Sequence, residues 1–346
     1  MSLLQTLWLT SLLLSGASLC VVAGLIVHRA IEHRHRKNTE RRRRQIEARF
    51  LGYLDGTFDG AQLAAAAKSD VILATEVGLS LADLVRGRDY ERLIAILEAV
   101  GVGGRLRVNA AHGTRAGRVV AATRLRHFRN EASLDTLRRA LDDRDAEVRL
   151  AAAQSLAEIG ALPSVPELLV KLHVGTGEQS QLLRHIFRRL VHRQRGALVE
   201  LLAGKPHPLA KELALDALGH SGDYTVLAPI MAASEAADIE LRAAAFRALA
   251  NLGHPSALPA VTRGLVDASW VVRTQAAVAA GRIGLVDLVP QLVKLMADPV
   301  WWVRFRAGEA LMALGAAGEA AVVATSEGTP GPAARTAQLI LTERAA

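Results

Sequence analysis

Residues 301–315 read WWVRFRAGEALMALG, and residues 270–284 read WVVRTQAAVAAGRIG. Both stretches begin with tryptophan, carry an arginine at the fourth position and end on glycine, and they lie 31 residues apart. The series that starts at Arg304 and steps back by 31 residues has a basic residue at six of its seven positions, the exception being Ser180. Its members are Arg304, Arg273, Arg242, Lys211, Ser180, Arg149 and Arg118. A fixed period of this length indicates an array of structural repeats.

Each repeat predicts two helices. Apolar residues at positions −1, +3 and +7 from the arginine, such as Val303, Ala307 and Leu311, form one stripe along a first helix. The glycine at +11 suits the left-handed conformation that ends a helix. A proline at +17, such as Pro290, is tolerated in the first turn of a second helix. We therefore predict an all-α fold, an α-solenoid of about seven 31-residue helix pairs.

The repeat resembles the HEAT family through the recurring pattern Asp-x5-Arg-x2-Ala-x3-Leu, over about residues 110–345. Its short length is similar to that of the HEAT-like units of phycobilisome lyases. In HEAT proteins the aspartate and arginine form a ladder between neighbouring units. The resemblance implies this structural role for three pairs: Asp143 with Arg149, Asp267 with Arg273, and Asp298 with Arg304. HEAT arrays mostly serve as scaffolds, so the resemblance implies binding of a protein partner.

The beginning of the chain predicts a membrane anchor. Residues 3–27 carry no charged side chain, and a helix of that length rises about 37 Å, enough to cross a hydrocarbon core of ~30 Å. Residues 28–49 contain nine Lys or Arg and three Glu. Because these basic residues follow the apolar stretch, we predict a single-pass protein of a bacterial inner membrane. The positive-inside rule places its N-terminus outside and the HEAT array in the cytoplasm.

Two further contacts at the membrane are predicted. The basic stretch 28–49 is expected to contact anionic lipid, although it could equally be a topology signal alone. Gly16, Cys20 and Gly24 recur every four residues, which favours a homodimer through the transmembrane helix. The alternative is that small residues recur by chance in an apolar stretch.

The distribution of charge argues against a nucleic-acid partner. The chain has a net charge of +8, and residues 28–49 account for +6 of it. The remaining +2 is spread over residues 50–346, which therefore lack the basic surface of a nucleic-acid-binding protein. A nucleic-acid-binding solenoid is retained only as an alternative.

No motif predicts catalytic residues, a cofactor or a metal. The chain has one cysteine and no His-Glu dipeptide of the kind that holds iron in HEAT-type hydroxylases. It also has no glycine-rich phosphate loop. His28, Glu32 and His35 share a helical face, but the arginines around them repel cations. A non-enzymatic protein is expected, with a bilin-lyase-like enzyme as the alternative because no short motif defines that activity.

The irregular unit around Ser180 carries the most distinctive surface. Its basic residues follow at intervals of four, four and three, which places them on one face of a helix beside an apolar stripe. Trp302 occupies a position held by Glu147 and Glu240 in other units, opposite the apolar stripe. The predicted partner-binding residues are Arg184, Arg188, His192, Arg195, Arg247, Arg282 and Trp302.

These residues predict an acidic partner bound at the middle of the array. The alternatives are a solvated charged face for the basic residues and a cover over the end of the array for Trp302. Trp270 and Trp301 are instead expected to pack at the turn between paired helices. The favoured function is a membrane-anchored cytoplasmic scaffold or adaptor.

Five segments are predicted from these features. They are a transmembrane helix (1–27), a basic juxtamembrane helix (28–55), an irregular helical cap (56–116), the HEAT-like array (117–328) and a C-terminal capping helix (329–346). Within the cap, the glycines near residue 103 predict a break between helices.

Overall fold

The computed structural model describes residues 39–175 and 181–345, together with the single residues Gly16 and Arg29. Within these residues every regular element is a helix and no strand occurs. The predicted all-α class is therefore confirmed. The chain divides into two compact units.

The first unit comprises the described chain up to Asn109 together with His127–Ser133. Its core contains Phe50, Leu63, Leu93 and Leu97, which are almost completely buried. Helices α2, α3 and α4 pack against one another around this core. The helices that lie in this unit, wholly or for the most part, are α1 (39–54), α2 (Gly60–Ser69), α3 (Val71–Leu84), α4 (Gly87–Ala99) and α5 (Val102–His112).

Helix α5 corrects one expectation, because it runs through the glycine-rich stretch that predicts a break. Gly103 and Gly104 lie inside this helix, although each glycine in a helix costs about 1 kcal/mol relative to alanine. Val102, Leu106 and Ala110 on the same helix are buried. Burial of this apolar face offsets the low helix propensity of the glycines.

The second unit contains most of the remaining chain, Ala110–Arg126 and Leu134–Ala346. Its helices are α6 (Arg115–Arg124), α7 (Glu131–Ala140), α8 (Ala146–Ile159), α9 (Val165–Lys171), α10 (Gln181–Ala203), α11 (Pro208–Gly219), α12 (Leu227–Ala233), α13 (Ile239–Leu252), α14 (Leu258–Gly264), α15 (Trp270–Ile283), α16 (Val289–Leu295), α17 (Trp301–Ala313), α18 (Ala316–Glu327) and α19 (Pro332–Ala345).

The second unit is built as two rows of helices. The long helices α11, α13, α15 and α17 each pack against the next, and the short helices α12, α14 and α16 each pack against the long helix that follows. Helix α10 touches both rows, because Gln194 in its middle has non-helical backbone angles (φ −128°, ψ 33°) that divide it into two segments. This alternation of long and short helices is the helix-pair solenoid that the 31-residue period predicts.

The repeat positions have the backbone conformations expected from the sequence. Gly253 and Gly284, at +11, end their helices with φ values of 71° and 83°, a left-handed region that favours glycine. Pro259 and Pro290 lie in the first turn of α14 and α16. Val303, Ala307 and Leu311 are fully buried, as the apolar stripe requires.

Small residues allow neighbouring long helices to approach closely. A Cβ atom added to Gly281 of α15 would lie 2.8 Å from the Cα of Ala310 in α17, and one added to Gly219 of α11 would lie 2.7 Å from the Cα of Ala248 in α13. These contacts are to backbone atoms, which cannot move aside as a flexible side chain can. The row of long helices is therefore closely spaced at these points.

The predicted single-pass localisation is contradicted by the structure. Among the described residues, 39–175 and 181–345, no helix is long and apolar enough to cross a membrane. The longest helix, α10, carries five arginines in 23 residues. The predicted span (1–27) and dimer face (Gly16, Cys20 and Gly24) lie outside the described residues, apart from Gly16. The predicted lipid contact of 28–49 gains no support, and the five segment boundaries stay predictions.

Replacement of Gly281 by valine tests the close approach of α15 and α17. We expect Gly281→Val to lower the free energy of unfolding by about 1–3 kcal/mol or more, because the added side chain meets the backbone of Ala310. Gly196→Ala is the matched control, since open space surrounds Gly196 in α10 and alanine favours helix there. Urea unfolding of both variants measures the difference, and equal stability of Gly281→Val and wild type would contradict the close approach.

Candidate functional site

An arginine–aspartate ion pair joins consecutive units of the solenoid. Arg242, in the first turn of α13, donates from Nε and Nη2 to the two carboxylate oxygens of Asp267 at 2.9 and 3.0 Å. Arg273 makes the same bidentate contact with Asp298 at 2.8 and 3.1 Å. Arg118 contacts Asp143 at 2.8 and 3.0 Å. In all three pairs the aspartate lies 25 residues after the arginine, in the next 31-residue repeat.

Each of these aspartates also accepts a hydrogen bond from the backbone amide two residues later, which stabilises the turn in which it lies. The carboxylate of Asp267 accepts a hydrogen bond from the backbone amide of Ser269 at 2.8 Å, and Asp298 accepts one from Val300 at 2.8 Å. The arginine six residues later donates to the backbone carbonyl of the aspartate. The distances are 2.9 Å from Arg149 to Asp143, 2.9 Å from Arg273 to Asp267 and 2.8 Å from Arg304 to Asp298.

The structure thus places the six residues of the implied ladder in two networks, one on each side of the irregular unit, and both contain the same two kinds of link. The two residues of each predicted pair are joined through the backbone carbonyl, whereas the ion pair runs from an arginine to the aspartate of the following unit. Asp298 is only 8% exposed and Arg149 9% exposed, so both networks are largely shielded from water. Shielding makes the loss of one partner costly.

The networks are incomplete at two positions. Arg149 has no aspartate 25 residues later; its Nη2 lies 3.5 Å from Nδ1 of His173, and its buried Nε has no hydrogen-bond partner. Arg304, at the last repeat, donates from Nε to the hydroxyl of Thr336 at 3.4 Å. Ser180, the irregular member of the period, lies outside the described residues. The complete ion pairs therefore flank the irregular unit.

The ladder carboxylates have altered proton affinities. Burial favours the neutral form of Asp267, but hydrogen bonds from Arg242 and from the amide of Ser269 outweigh it and lower the pKa of that carboxyl below 3.8. The pKa of Asp143 is lowered in the same way: burial opposes the charge, and the contacts with Arg118 and the amide of Asp145 outweigh it. Both carboxylates therefore stay charged in the folded chain at a pH where the unfolded chain binds protons.

This difference predicts how stability depends on pH. Since the folded pKa is lowered, the stabilisation is present above the unfolded pKa of about 4 and is lost as the pH falls through the folded pKa. We expect Asp143→Asn with Asp267→Asn to be less stable than wild type at pH 7 and to lose less further stability below about pH 4. Chemical unfolding at a series of pH values measures both slopes, and parallel slopes for the two proteins would contradict the assignment.

The predicted basic stripe of α10 lines two separate cavities. Arg184 and Arg188 line a cavity of about 360 Å³, whose other walls include Arg247 from α13, Arg282 from α15 and Asp216 from α11. The name arginine cavity is used below for this space. His192 and Arg195 instead line a second cavity of about 380 Å³ with Asp223, and Arg195 forms an ion pair with Asp223.

The arginine cavity contains more positive than negative groups. Arg188 donates from Nε and Nη2 to Asp216 at 2.7 and 2.9 Å, which raises the pKa of Arg188. Arg184 approaches the same carboxylate at 3.9 Å. Within the described chain, Arg247 and Arg282 form no ion pair closer than 4 Å. The second carboxyl group of the cavity belongs to Glu212.

Glu212 is the acidic group of the cavity whose charge is least favoured. Burial raises the pKa of its carboxyl group, Arg247 and Arg184 lower it, and Glu240 and Asp238 raise it further. Four arginines therefore share the cavity with one carboxylate held in an ion pair and one whose ionisation is opposed. The arrangement suits an anionic group that binds between guanidinium ions.

Trp302 belongs to a partly exposed aromatic patch, defined by Trp301, Trp302 and Phe305. The ring of Trp301 lies edge-on to Trp302 at 4.6 Å between ring centres and stacks on Phe305 at 5.0 Å. Trp302 is 49% exposed and Trp301 41% exposed. Trp270, the first residue of α15, is 45% exposed. Trp270 and Trp301 each begin a long helix, directly after the turn from the preceding short helix, and both stay partly exposed, so their packing at the turn stays a prediction.

Metal and cofactor sites were not predicted, and the part of the chain that the structure describes contains no cluster of three or more His, Cys, Asp or Glu suited to a metal ion. His28, Glu32, His35 and Cys20 lie outside that part.

Comparison with known proteins identifies the class. Residues 107–180, 196–281 and 264–337 match the HEAT repeats. These segments cover more than half of the sequence, and the chain belongs to the HEAT-repeat family. The match is to HEAT repeats in general and lends no support to the finer resemblance to phycobilisome lyases. No curated protein matches the sequence.

Several solved structures resemble the chain distantly. An engineered protein is 17% identical, with 86% of this chain and 98% of that one covered and a TM-score of 0.36. A designed armadillo repeat protein is 21% identical, with 61% and 99% covered and a TM-score of 0.32. Kap95p, in a structure of its binding to RanGDP, is 11% identical, with 81% and 46% covered and a TM-score of 0.44.

Proposed function

We propose that this HEAT-repeat protein is a scaffold that binds an acidic segment of a protein partner in the arginine cavity. The observation that carries the proposal is the convergence of Arg184, Arg188, Arg247 and Arg282 from three helices on one space of about 360 Å³. Two of them, Arg247 and Arg282, form no ion pair among the described residues. Their guanidinium groups remain available for a ligand.

The chemistry of the cavity favours carboxylates. A guanidinium group donates two parallel hydrogen bonds to a carboxylate, and arginine loses less conformational entropy in that contact than lysine does. A volume of about 360 Å³ accommodates one or two acidic side chains but not a folded domain. The partner therefore presents its acidic residues on an exposed segment, which fits the extended binding surfaces of α-solenoids.

The role proposed is binding without catalysis. A bilin-lyase-like activity stays the alternative from sequence, and no observation favours it. A nucleic-acid ligand would require contacts to many phosphates, whereas the arginine cavity is a compact site. Titration with single-stranded DNA at two salt concentrations separates that alternative from the peptide ligand proposed here.

Charge reversal at the two arginines without ion pairs tests the proposal. The probe is a fluorescein-labelled peptide of six glutamates, and its affinity is measured by fluorescence anisotropy. We expect Arg247→Glu with Arg282→Glu to weaken binding at least about tenfold, which corresponds to ~1.4 kcal/mol. Arg139→Glu with Arg335→Glu is the matched control, because both arginines are exposed, neither lines the cavity, and the change in net charge is the same. Equal loss in this control would mean attraction by general charge, against the proposal.

Removal of the Glu212 charge should have the opposite effect. Glu212 lines the same cavity and repels an incoming carboxylate, so we expect Glu212→Gln to bind the hexaglutamate probe about two- to fivefold more tightly, the range of a weak like-charge contact. The substitution keeps the size of the side chain. Anisotropy titrations at pH 7 measure the change, and unchanged or weaker binding would place the peptide elsewhere.

A further inference from the structure

The aromatic patch lies on the same helix row as the arginine cavity. Trp301, Trp302 and Phe305 occupy the first two turns of α17, and their rings contact one another. The rings of Trp301 and Trp302 nevertheless remain 41% and 49% exposed in a chain with only 4% aromatic residues. Exposed tryptophans that are fixed by neighbouring rings are a common form of binding anchor.

The patch and the cavity share one face of the row. Relative to the repeating arginine, Arg247 stands at +5 and Arg282 at +9, whereas Trp302 stands at −2 and Phe305 at +1. Steps of three or four residues connect these positions, so they lie along one side of a helix. The ion pair from Arg273 to Asp298 and the close approach of Gly281 to Ala310 hold α15 against α17, with position +8 of α15 beside position +6 of α17.

The helix geometry gives the separation of the two sites. At this offset Arg282 lies level with position +7 of α17, nine residues along the axis from Trp302, a rise of about 14 Å. The lateral step between adjacent helices is about 9 Å, which gives a diagonal of roughly 16 Å. Extended chain covers about 3.3 Å per residue, so roughly five residues bridge the two sites.

We infer that the partner segment is bipartite: an extended chain with a large apolar residue on the aromatic patch and acidic residues in the arginine cavity, separated by about five positions. This inference rests on the proposed function and adds a second anchor to it. Charge complementarity assigns the acidic part to the four arginines. The apolar part follows from the exposed faces of Trp301 and Trp302, which contact with an apolar side chain removes from water.

Peptides of graded spacing test the inference on the full-length protein. Each probe carries fluorescein, two leucines and three glutamates, separated by one, five or twelve Gly/Ser residues. A probe with the glutamates alone serves as the reference. We expect the five-residue spacer to bind about tenfold more tightly than the reference. A spacer of one residue cannot span the gap, so that probe should bind like the reference.

The variant Trp302→Ala then identifies the patch. It should bind the five-residue-spacer probe no more tightly than the reference probe, while its affinity for the reference probe stays at the wild-type value. That unchanged affinity also shows that the variant is folded. If the reference binds wild type but the leucines add nothing at any spacing, the bipartite segment is wrong and the proposed function stands. If the reference itself fails to bind, both are wrong.

Discussion

The bidentate contact between an arginine and an aspartate 25 residues later fixes how one unit sits on the next. Arg273 reaches forward to Asp298 and backward to the carbonyl of Asp267, so one guanidinium group joins two successive turns. A planar group that is bound on both sides cannot shift along the helix without losing hydrogen bonds. Neighbouring long helices accordingly pack with the same offset, since Gly219 meets Ala248 as Gly281 meets Ala310, and equivalent repeat positions form rows across the surface.

One part of the arginine cavity comes from α10, which follows the irregular position Ser180, and its other arginines come from α13 and α15, which carry complete ladder pairs. Arg149, before the irregular position, has no aspartate 25 residues later. In the cavity, Arg188 of α10 pairs with Asp216 of α11. This contact joins positions inside two helices, whereas the ladder contacts lie at the turns. One carboxylate is shared by two arginines from α10, while Arg247 and Arg282 form no ion pair within 4 Å among the described residues. Four arginines thus share the cavity with two carboxyl groups, which gives it an excess of positive charge.

Much of the fold could be predicted from sequence, because the period, the glycines at +11 and the prolines at +17 are local signals. Trp302 could also be placed on the exposed face from its repeat position. The continuation of α5 through Gly103 and Gly104 could not be predicted from the sequence, because it depends on the burial of one apolar face of the helix. The two cavities along α10 could not be predicted from the sequence either. The bend at Gln194 and the approach of α11, α13 and α15 depend on packing between residues that are distant in the chain.

The ion-pair partner of each ladder arginine could be predicted from the spacing of aspartates in the sequence. Arg118, Arg242 and Arg273 each have an aspartate 25 residues later, and each makes the ion pair. Val174 and Thr329 occupy the same spacing after Arg149 and Arg304, and neither of those arginines forms it. The aspartate that pairs with a ladder arginine therefore belongs to the next repeat. Within the arginine's own repeat, the aspartate six residues before Arg149, Arg273 and Arg304 accepts a hydrogen bond through its backbone carbonyl. Arg247 and Arg282 stand at other positions of the repeat, outside this ladder. A ladder arginine forms an ion pair when the following repeat supplies the carboxylate, whereas Arg149 and Arg304, which lack one, stay structural through the backbone carbonyls of Asp143 and Asp298. Arg247 and Arg282 make neither ladder contact and line the arginine cavity instead.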